Sequence, residues 1–214
     1  MTEKRGTLVT FEGTDGTGKS TLISRLESEF GSNVATVGEF SRSPLGDELR
    51  RLLTEDQYFE VEKNALTVVS TIVADHFYQI ENEIRPLLAE GKTVLKDRYL
   101  ETLQACEPPI IQKQYDFGDS AQAYIDSVET LTPIVPDLTV YLTVPREQQL
   151  RRLRERGDDI ESVDERLLSG REQRYRRQVA VHSERIVTYE NDGTVEHSTR
   201  ELAALIREHI RESS

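Results

Sequence analysis

The chain has 214 residues and a formal net charge of −12, from 27 Lys and Arg against 39 Asp and Glu. That length suits one α/β domain with a substantial core, and we read residues 1–214 as a single domain, since no repeat, low-complexity tract or linker interrupts them. An acidic excess spread along the chain disfavours binding to a nucleic-acid backbone. No apolar run approaches the roughly 20 residues that span a bilayer, so no membrane role is expected. A single cysteine, Cys106, excludes an internal disulfide framework and a Cys/His zinc cluster, and predicts a cytoplasmic setting. Distributed carboxylates would also keep a protein soluble in a high-salt cytoplasm, so a halophile-like surface is expected.

In chain order, Thr7 to Phe11 is an apolar, β-branched run of strand length, and Leu22, Ile23 and Leu26 have helical spacing in a helix over about 18–30. Asn33 to Val37 suits a second strand, and Gly46 to Leu53 a short helix. Residues 59–90 read as a long helix or a broken pair, from the spacing of Leu66, Val69, Ile72, Val73, Phe77 and Ile80, with Gly91 as its C-cap. Thr93 to Leu95 is a buried strand running into Lys96-Asp97-Arg98-Tyr99. Helices follow, including Ala121 to Thr130, then a turn with Pro133 and Pro136, a strand over Leu138 to Val144 and a basic helix from near Arg146. A charged segment from Gly157 to Asp164 precedes a helix to about Arg185. Ile186 to Tyr189 is the last strand, and Ser198 is the expected N-cap of the terminal helix. Strands alternating with helices predict a P-loop NTPase-type parallel sheet covered on both faces, with ligands at the carboxyl ends of the strands.

Residues 13–20 read Gly-Thr-Asp-Gly-Thr-Gly-Lys-Ser, the G-x-x-x-x-G-K-[ST] phosphate loop, between a strand and a helix. The glycines let successive N–H groups turn toward one phosphate, and the helix N-terminus adds partial positive charge. Gly13, Thr14, Asp15, Gly16, Thr17, Gly18, Lys19, Ser20 and Thr21 are therefore the expected ATP-binding set. Lys19 is expected to reach the β- and γ-phosphates, and Ser20 to ligate Mg²⁺. At the end of the third strand, Asp97 is expected either to hold the Mg²⁺ water shell or to orient an acceptor, and Arg98 to clamp phosphate oxygens. Asp15 serves either as a turn residue or as a contact to an acceptor sugar or an arginine. The arginines Arg152, Arg154 and Arg156 predict a short lid, about 152–166, closing over the triphosphate, with Arg156 in the catalytic set.

Several phrases together resemble the thymidylate (dTMP) kinase family. Phe11-Glu12-Gly13-Thr14-Asp15-Gly16-Thr17-Gly18-Lys19-Ser20-Thr21 is similar to its F-E-G-x-D-G-x-G-K-[ST]-T loop, and Asp97-Arg98-Tyr99 to its D-R-Y motif. Pro136 to Leu142 is similar to its P-D-L-x-x-x-L strand, and Ile84-Arg85-Pro86 to its I-R-P phrase. The resemblance implies an ATP- and Mg²⁺-dependent nucleoside-monophosphate kinase, often a homodimer, with Asp15 near the acceptor sugar and Arg98 bridging donor and acceptor phosphates. It departs from the family on the acceptor side. Val37-Gly38-Glu39-Phe40 stands where the family has T-R-E-P, leaving Arg42 as the nearest arginine for an acceptor phosphate. The A-D-R phrase is Ala74-Asp75-His76, so His76 is either a neutral packing residue or a replacement for the arginine that contacts the nucleotide. After the D-R-Y motif come Thr102, in place of a serine, and Ala105-Cys106-Glu107, in place of an A-Y-Q phrase. The expected reaction is phosphoryl transfer from ATP to dTMP. Alternatives are a kinase of the same fold acting on another deoxynucleotide or on a deoxynucleoside, with Glu39 as base, and a nucleotide-binding switch that has no acceptor.

Overall fold

A computed structural model describes residues 5–55, 63–158 and 165–212. The elements run β1 (Leu8–Glu12), α1 (Lys19–Phe30), a 3₁₀ turn (Gly31–Asn33), β2 (Val34–Val37), α2 (Pro44–Glu55), α3 (Ala65–Gln79), a π segment (Ile80–Ile84) and α4 (Arg85–Ala89). They continue with β3 (Thr93–Asp97), α5 (Leu100–Gln114), α6 (Ser120–Leu131), β4 (Leu138–Thr143), α7 (Arg146–Arg156), α8 (Glu165–Val181), β5 (Ile186–Glu190) and α9 (Val195–Glu212). The five strands form one parallel sheet in the order β2-β3-β1-β4-β5.

Helices cover both faces, which is why the central strands are apolar almost throughout. Alternation along each strand divides the side chains. Val9, Phe11, Leu95, Leu138, Val140 and Leu142 pack against Leu22, Ile23 and Leu26 of α1 and Leu202, Ala203 and Ile206 of α9. On the other face, Leu8 and Val94 meet Ile80, Ile84 and Leu88, while Tyr141 meets Ala105 and Tyr175. That second face also carries fully buried polar groups. The Thr10 and Thr139 hydroxyls bond each other at 2.8 Å, and buried Glu101 pairs with Arg185 at 2.5 Å.

The chain leaves β1 for β2 on one side of the sheet and leaves β3 for β4 on the other, so the connections diverge between β1 and β3. A crevice opens at the carboxyl end of β1, where doubly wound sheets hold their ligands. The helix expected over 59–90 is described from Ala65 and is continuous to Ala89 through the π segment, whereas residues 59–62 lie outside the described residues. Ser198 does not cap α9 as expected. The helix starts one turn earlier, with the His197 N–H donating to Thr194 Oγ1 at 3.2 Å. The buried Ser198 hydroxyl instead donates to Asn191 Oδ1 at 2.9 Å. Among the described residues no helix is long and apolar enough to cross a membrane.

Candidate active site

The loop between β1 and α1 takes its shape from three glycines at positive φ: Gly13 at 135°, Gly16 at 80° and Gly18 at 95°. At Gly13 a Cβ would also lie 2.4 Å from the Leu142 carbonyl oxygen of the neighbouring strand, so a side chain there is excluded. The loop is braced from outside. Gln149 of α7 donates to Thr14 Oγ1 at 2.9 Å and to the Asp15 carbonyl at 2.6 Å. Arg152 donates to the Thr17 carbonyl at 3.3 Å and the Asn191 carbonyl at 3.0 Å, and Asn191 Nδ2 to the Thr17 carbonyl at 2.7 Å. Thr17 Oγ1 donates to the Thr14 carbonyl. Lys19 lies buried along the loop, its Nζ donating to the Gly13 and Thr14 carbonyls at 2.8 and 3.2 Å. Burial, helped by nearby Arg98, lowers its pKa below the usual lysine value.

This loop lines a cavity of about 550 Å³ that also includes Ser20, Thr21, Asp97, Arg152 and Arg156. Ser20 Oγ donates to Asp97 Oδ2 at 3.0 Å, and Asp97 Oδ1 is buried with no hydrogen-bond partner. A hydroxyl and a free carboxylate oxygen side by side at a phosphate loop are oxygen ligands suited to hydrated Mg²⁺. Arg156 pairs with Asp158 at 2.5 Å at the end of α7. Arg154 is exposed and not among the cavity-lining residues. The expected lid over 152–166 is described as far as 158; residues 159–164 lie outside the described residues.

A second cavity, about 250 Å³, lies between α3, α5, α8 and the loop after β2. The two share Asp15, Glu39 and Arg98. Arg98 sits at φ 58°, in the left-handed region that a non-glycine residue occupies only under constraint. The constraint is visible on both sides. The Arg98 N–H donates to the Phe11 carbonyl at 3.0 Å, and the next N–H, of Tyr99, donates to Glu12 Oε1 at 2.7 Å. The guanidinium then bonds Asp15 Oδ1 at 2.5 Å and the Gly13 carbonyl at 3.1 Å, with Glu39 Oε1 3.2 Å from Nε. Burial opposes its charge, but Tyr175, Glu39 and Asp15 outweigh burial and hold it more firmly protonated than an ordinary arginine. Burial likewise pushes Asp15 up, and Arg98 with Lys19 overcomes it, leaving Asp15 below the usual carboxylate value.

The second cavity has apolar walls from Val68, Ile72, Leu103 and Ile110. Asp75 fixes the loop after β2, accepting from the Ser41 N–H at 2.8 Å and the Ser41 hydroxyl at 2.5 Å. Lys96 is buried and ties the strand ends together, donating to the carbonyls of Gly38, Glu39 and Asp97 at 2.6, 3.1 and 2.9 Å. Burial lowers its pKa to about 8. Glu12 accepts from Thr102 Oγ1 at 2.5 Å, and Thr102 is within 2.8 Å of the Tyr175 hydroxyl. Burial and the nearby Glu101 raise Glu12 to about 8.

The family model for thymidylate kinase matches residues 11–202. The chain belongs to the thymidylate kinase family. It is thus an enzyme of the nucleoside-monophosphate kinase class. A probable thymidylate kinase of Methanococcoides burtonii is 28% identical over 189 residues, covering 88% of this chain and 90% of the relative. The thymidylate kinase of Latilactobacillus sakei is 27% identical over 191 residues, 86% of each chain. Among solved structures, the Candida albicans thymidylate kinase superposes with a TM-score of 0.69 at 20% identity, covering 98% of this chain and 94% of that one. The Ehrlichia chaffeensis enzyme superposes at 0.66 and 20% identity, covering 94% and 99%. These structural likenesses bear on the fold.

Of the expected loop residues, Asp15, Gly16, Gly18, Lys19, Ser20 and Thr21 line the first cavity together with Asp97, Arg98 and Arg156, whereas Gly13, Thr14 and Thr17 lie behind it. Asp15, Arg98, Thr102 and His76 line the second. Arg42 does not join them. Its Nη2 donates back to the Thr36 carbonyl at 3.1 Å and its N–H to Glu83 Oε1 at 2.7 Å. It lines a separate groove with Asn82 and Glu83, so the arginine expected for an acceptor phosphate is not in the second cavity. His76 lines the cavity but bonds Thr132 Oγ1 through Nε2 at 3.0 Å. Burial, helped by Lys96, lowers its pKa to about 3, so it stays neutral. Cys106 is buried, and burial lifts its thiol to about 11.

Sequence reasoning missed Lys96 and Arg171, both of which line the second cavity. A lysine inside an otherwise buried strand was a usable signal for the first. Arg171 lies in an arginine-rich helix and carries no local mark.

Proposed function

We propose that the protein transfers the γ-phosphoryl group of ATP to dTMP, giving ADP and dTDP. The observation that carries this reading is the pair of cavities sharing Asp15, Glu39 and Arg98. A donor phosphate on the glycine loop and an acceptor phosphate in the second cavity would meet at the same guanidinium. The acceptor phosphate oxygen attacks the γ-phosphorus, the bond from that phosphorus to the bridging oxygen breaks, and ADP leaves with the electron pair. A phosphate monoester is already largely dianionic at neutral pH, its second pKa being about 6, so no general base is required. That favours a monophosphate over a nucleoside acceptor. Glu39, the candidate base for a nucleoside, is paired with Arg98.

In this reading the loop N–H groups and Lys19 hold the donor phosphates, and Arg98 neutralises charge on the group in flight. Ser20 Oγ and Asp97 Oδ1 would hold Mg²⁺, which when bound neutralises the β- and γ-phosphates. Thr21 and Arg152 border the same phosphates, and Arg156 is the lid arginine nearest them. Asp15 and Glu39 keep the guanidinium at the junction until phosphates replace them. We further read the chain as a single cytoplasmic domain working as a homodimer, without nucleic-acid or membrane partners, with an acidic surface suited to high salt.

The test is coupled ADP release with ATP, Mg²⁺ and a panel of nucleosides and nucleoside monophosphates, at low and molar KCl. Strong stimulation by dTMP is expected. Stimulation by a nucleoside or another monophosphate instead would move the specificity. ATP binding with no acceptor response would favour a regulatory switch.

A further inference from the structure

The acceptor cavity contains two polar atoms that nothing in the described protein satisfies. Glu107 of α5 is 5% exposed, and its Oε2 has no hydrogen-bond partner. Arg171 of α8 has its Nε buried and unpartnered. Both side chains line the cavity. A buried polar atom left without a partner costs on the order of 1–3 kcal/mol, so such atoms are retained where something else completes them.

The other polar groups around this cavity are already engaged. Asp75 holds Ser41, His76 holds Thr132, Lys96 holds three carbonyls, Gln79 donates to the Gly38 carbonyl and Thr102 donates to Glu12. Position agrees with this elimination. α5 begins two residues after Arg98 and turns Thr102, Cys106 and Glu107 toward the cavity. Glu107 therefore stands about 7.5 Å farther along the helix axis than Thr102. An acceptor with its phosphate at Arg98 would present its base to that part of the wall.

We propose that Glu107 and Arg171 read the edge of the acceptor's base, the Glu107 carboxylate accepting the ring imide N–H and the Arg171 guanidinium donating to the adjacent exocyclic carbonyl. This rests on the monophosphate-acceptor reading above. Thymine and uracil carry that edge. Cytosine offers a ring-nitrogen lone pair at the same place, which a carboxylate repels. Burial, opposed by Arg171, raises Glu107 to about 7. The Arg171 charge thus favours the ionised form that accepts the imide N–H and rejects cytosine, and that discrimination is expected to sharpen above pH 7.

The experiment compares dTMP, its N3-methyl analogue and dCMP as acceptors for the full chain and for Glu107→Leu, which keeps the bulk and removes the acceptor oxygen. The unsubstituted protein is expected to use dTMP on the order of 10²-fold better, in kcat/KM, than the analogue lacking the N–H. In Glu107→Leu, dTMP falls to the analogue's level while ATP affinity is kept. Glu107→Gln gives an independent reading. Its amide can donate to the cytosine ring nitrogen, so the dCMP to dTMP ratio is expected to rise about 10-fold or more. Equal use of dTMP and the N3-methyl analogue overturns the assignment and leaves the kinase reading intact. So does a folded Glu107→Leu that keeps full dTMP turnover, or a Glu107→Gln with an unchanged ratio. Absence of turnover with dTMP removes both readings.

Discussion

In the cavity we read as the donor site, the framework is one run of consecutive residues, 13–20, held by one strand and one helix N-terminus, to which Asp97, Arg98, Arg152 and Arg156 are added from elsewhere. In the cavity we read as the acceptor site, the lining groups come from α3, α5, α8 and the loop after β2, far apart in the chain but packed on one side of the sheet. The first is a backbone device: its geometry follows from glycine dihedrals, and neighbouring side chains such as Gln149, Arg152 and Asn191 stiffen it. The second is a side-chain device whose walls exchange residues without changing the fold. The contrast accounts for where this chain keeps the family's pattern and where it departs. A phosphate is the same in every donor, whereas an acceptor's base can be read by different pairs of groups.

Arg98 belongs to both cavities, and its removal is the strongest test of their junction. Arg98→Ala is expected to lower kcat by about 10³-fold or more. ATP affinity, measured by titration, should change far less. A variant that retained most of its turnover would break the two-cavity reading.

Gly46 separates the cavities more cleanly. A Cβ there would lie 2.2 Å from the Ser41 carbonyl oxygen and 2.5 Å from Ser41 Oγ, the hydroxyl that Asp75 holds. Gly46→Ala is expected to push the loop after β2 out of place and raise acceptor KM by about 10- to 100-fold, with ATP affinity preserved. Equal losses on both sides would mean that the cavities are not independent.

The pH dependence of stability addresses the support beneath both. Glu12 titrates near 8 in the folded protein, against an ordinary value of 4.5. The folded state therefore holds a proton that the unfolded state releases, and stability is lost as pH rises from about 4.5 through 8. Glu12→Gln should flatten that part of a thermal-melt profile. An unchanged slope would mean that Glu12 is ionised in the fold.

The smallest effect is expected at Arg42. Because it faces a groove away from the acceptor, Arg42→Ala should change acceptor KM by less than about twofold, the range of an exposed polar contact. A large rise in KM would return the family's acceptor arginine to this position.

What could be read from the residues alone follows the same division. The five strands, the phosphate loop and the terminal Asp97-Arg98 pair were legible because each is a local pattern. Alternation, helical spacing and glycine placement act over a few neighbouring residues, and backbone sterics do the rest. The Thr194 cap was missed because Ser198 is chemically as good a cap, and packing against Asn191 decided between them. Arg42 was misplaced because nearness in sequence says nothing about which side of a loop a long side chain takes. Glu83, 41 residues away, holds its backbone N–H.

The sequence by itself determined a parallel α/β sheet with a phosphate loop and a kinase-like strand end, since these depend on contacts between near neighbours. The tertiary structure alone decided that Glu107 and Arg171, 64 residues apart, share one cavity wall. It also decided that Lys96 spends its charge on three carbonyls and that His76 is neutral. Burial and pairing between distant elements set those states, and neither is written in any local pattern.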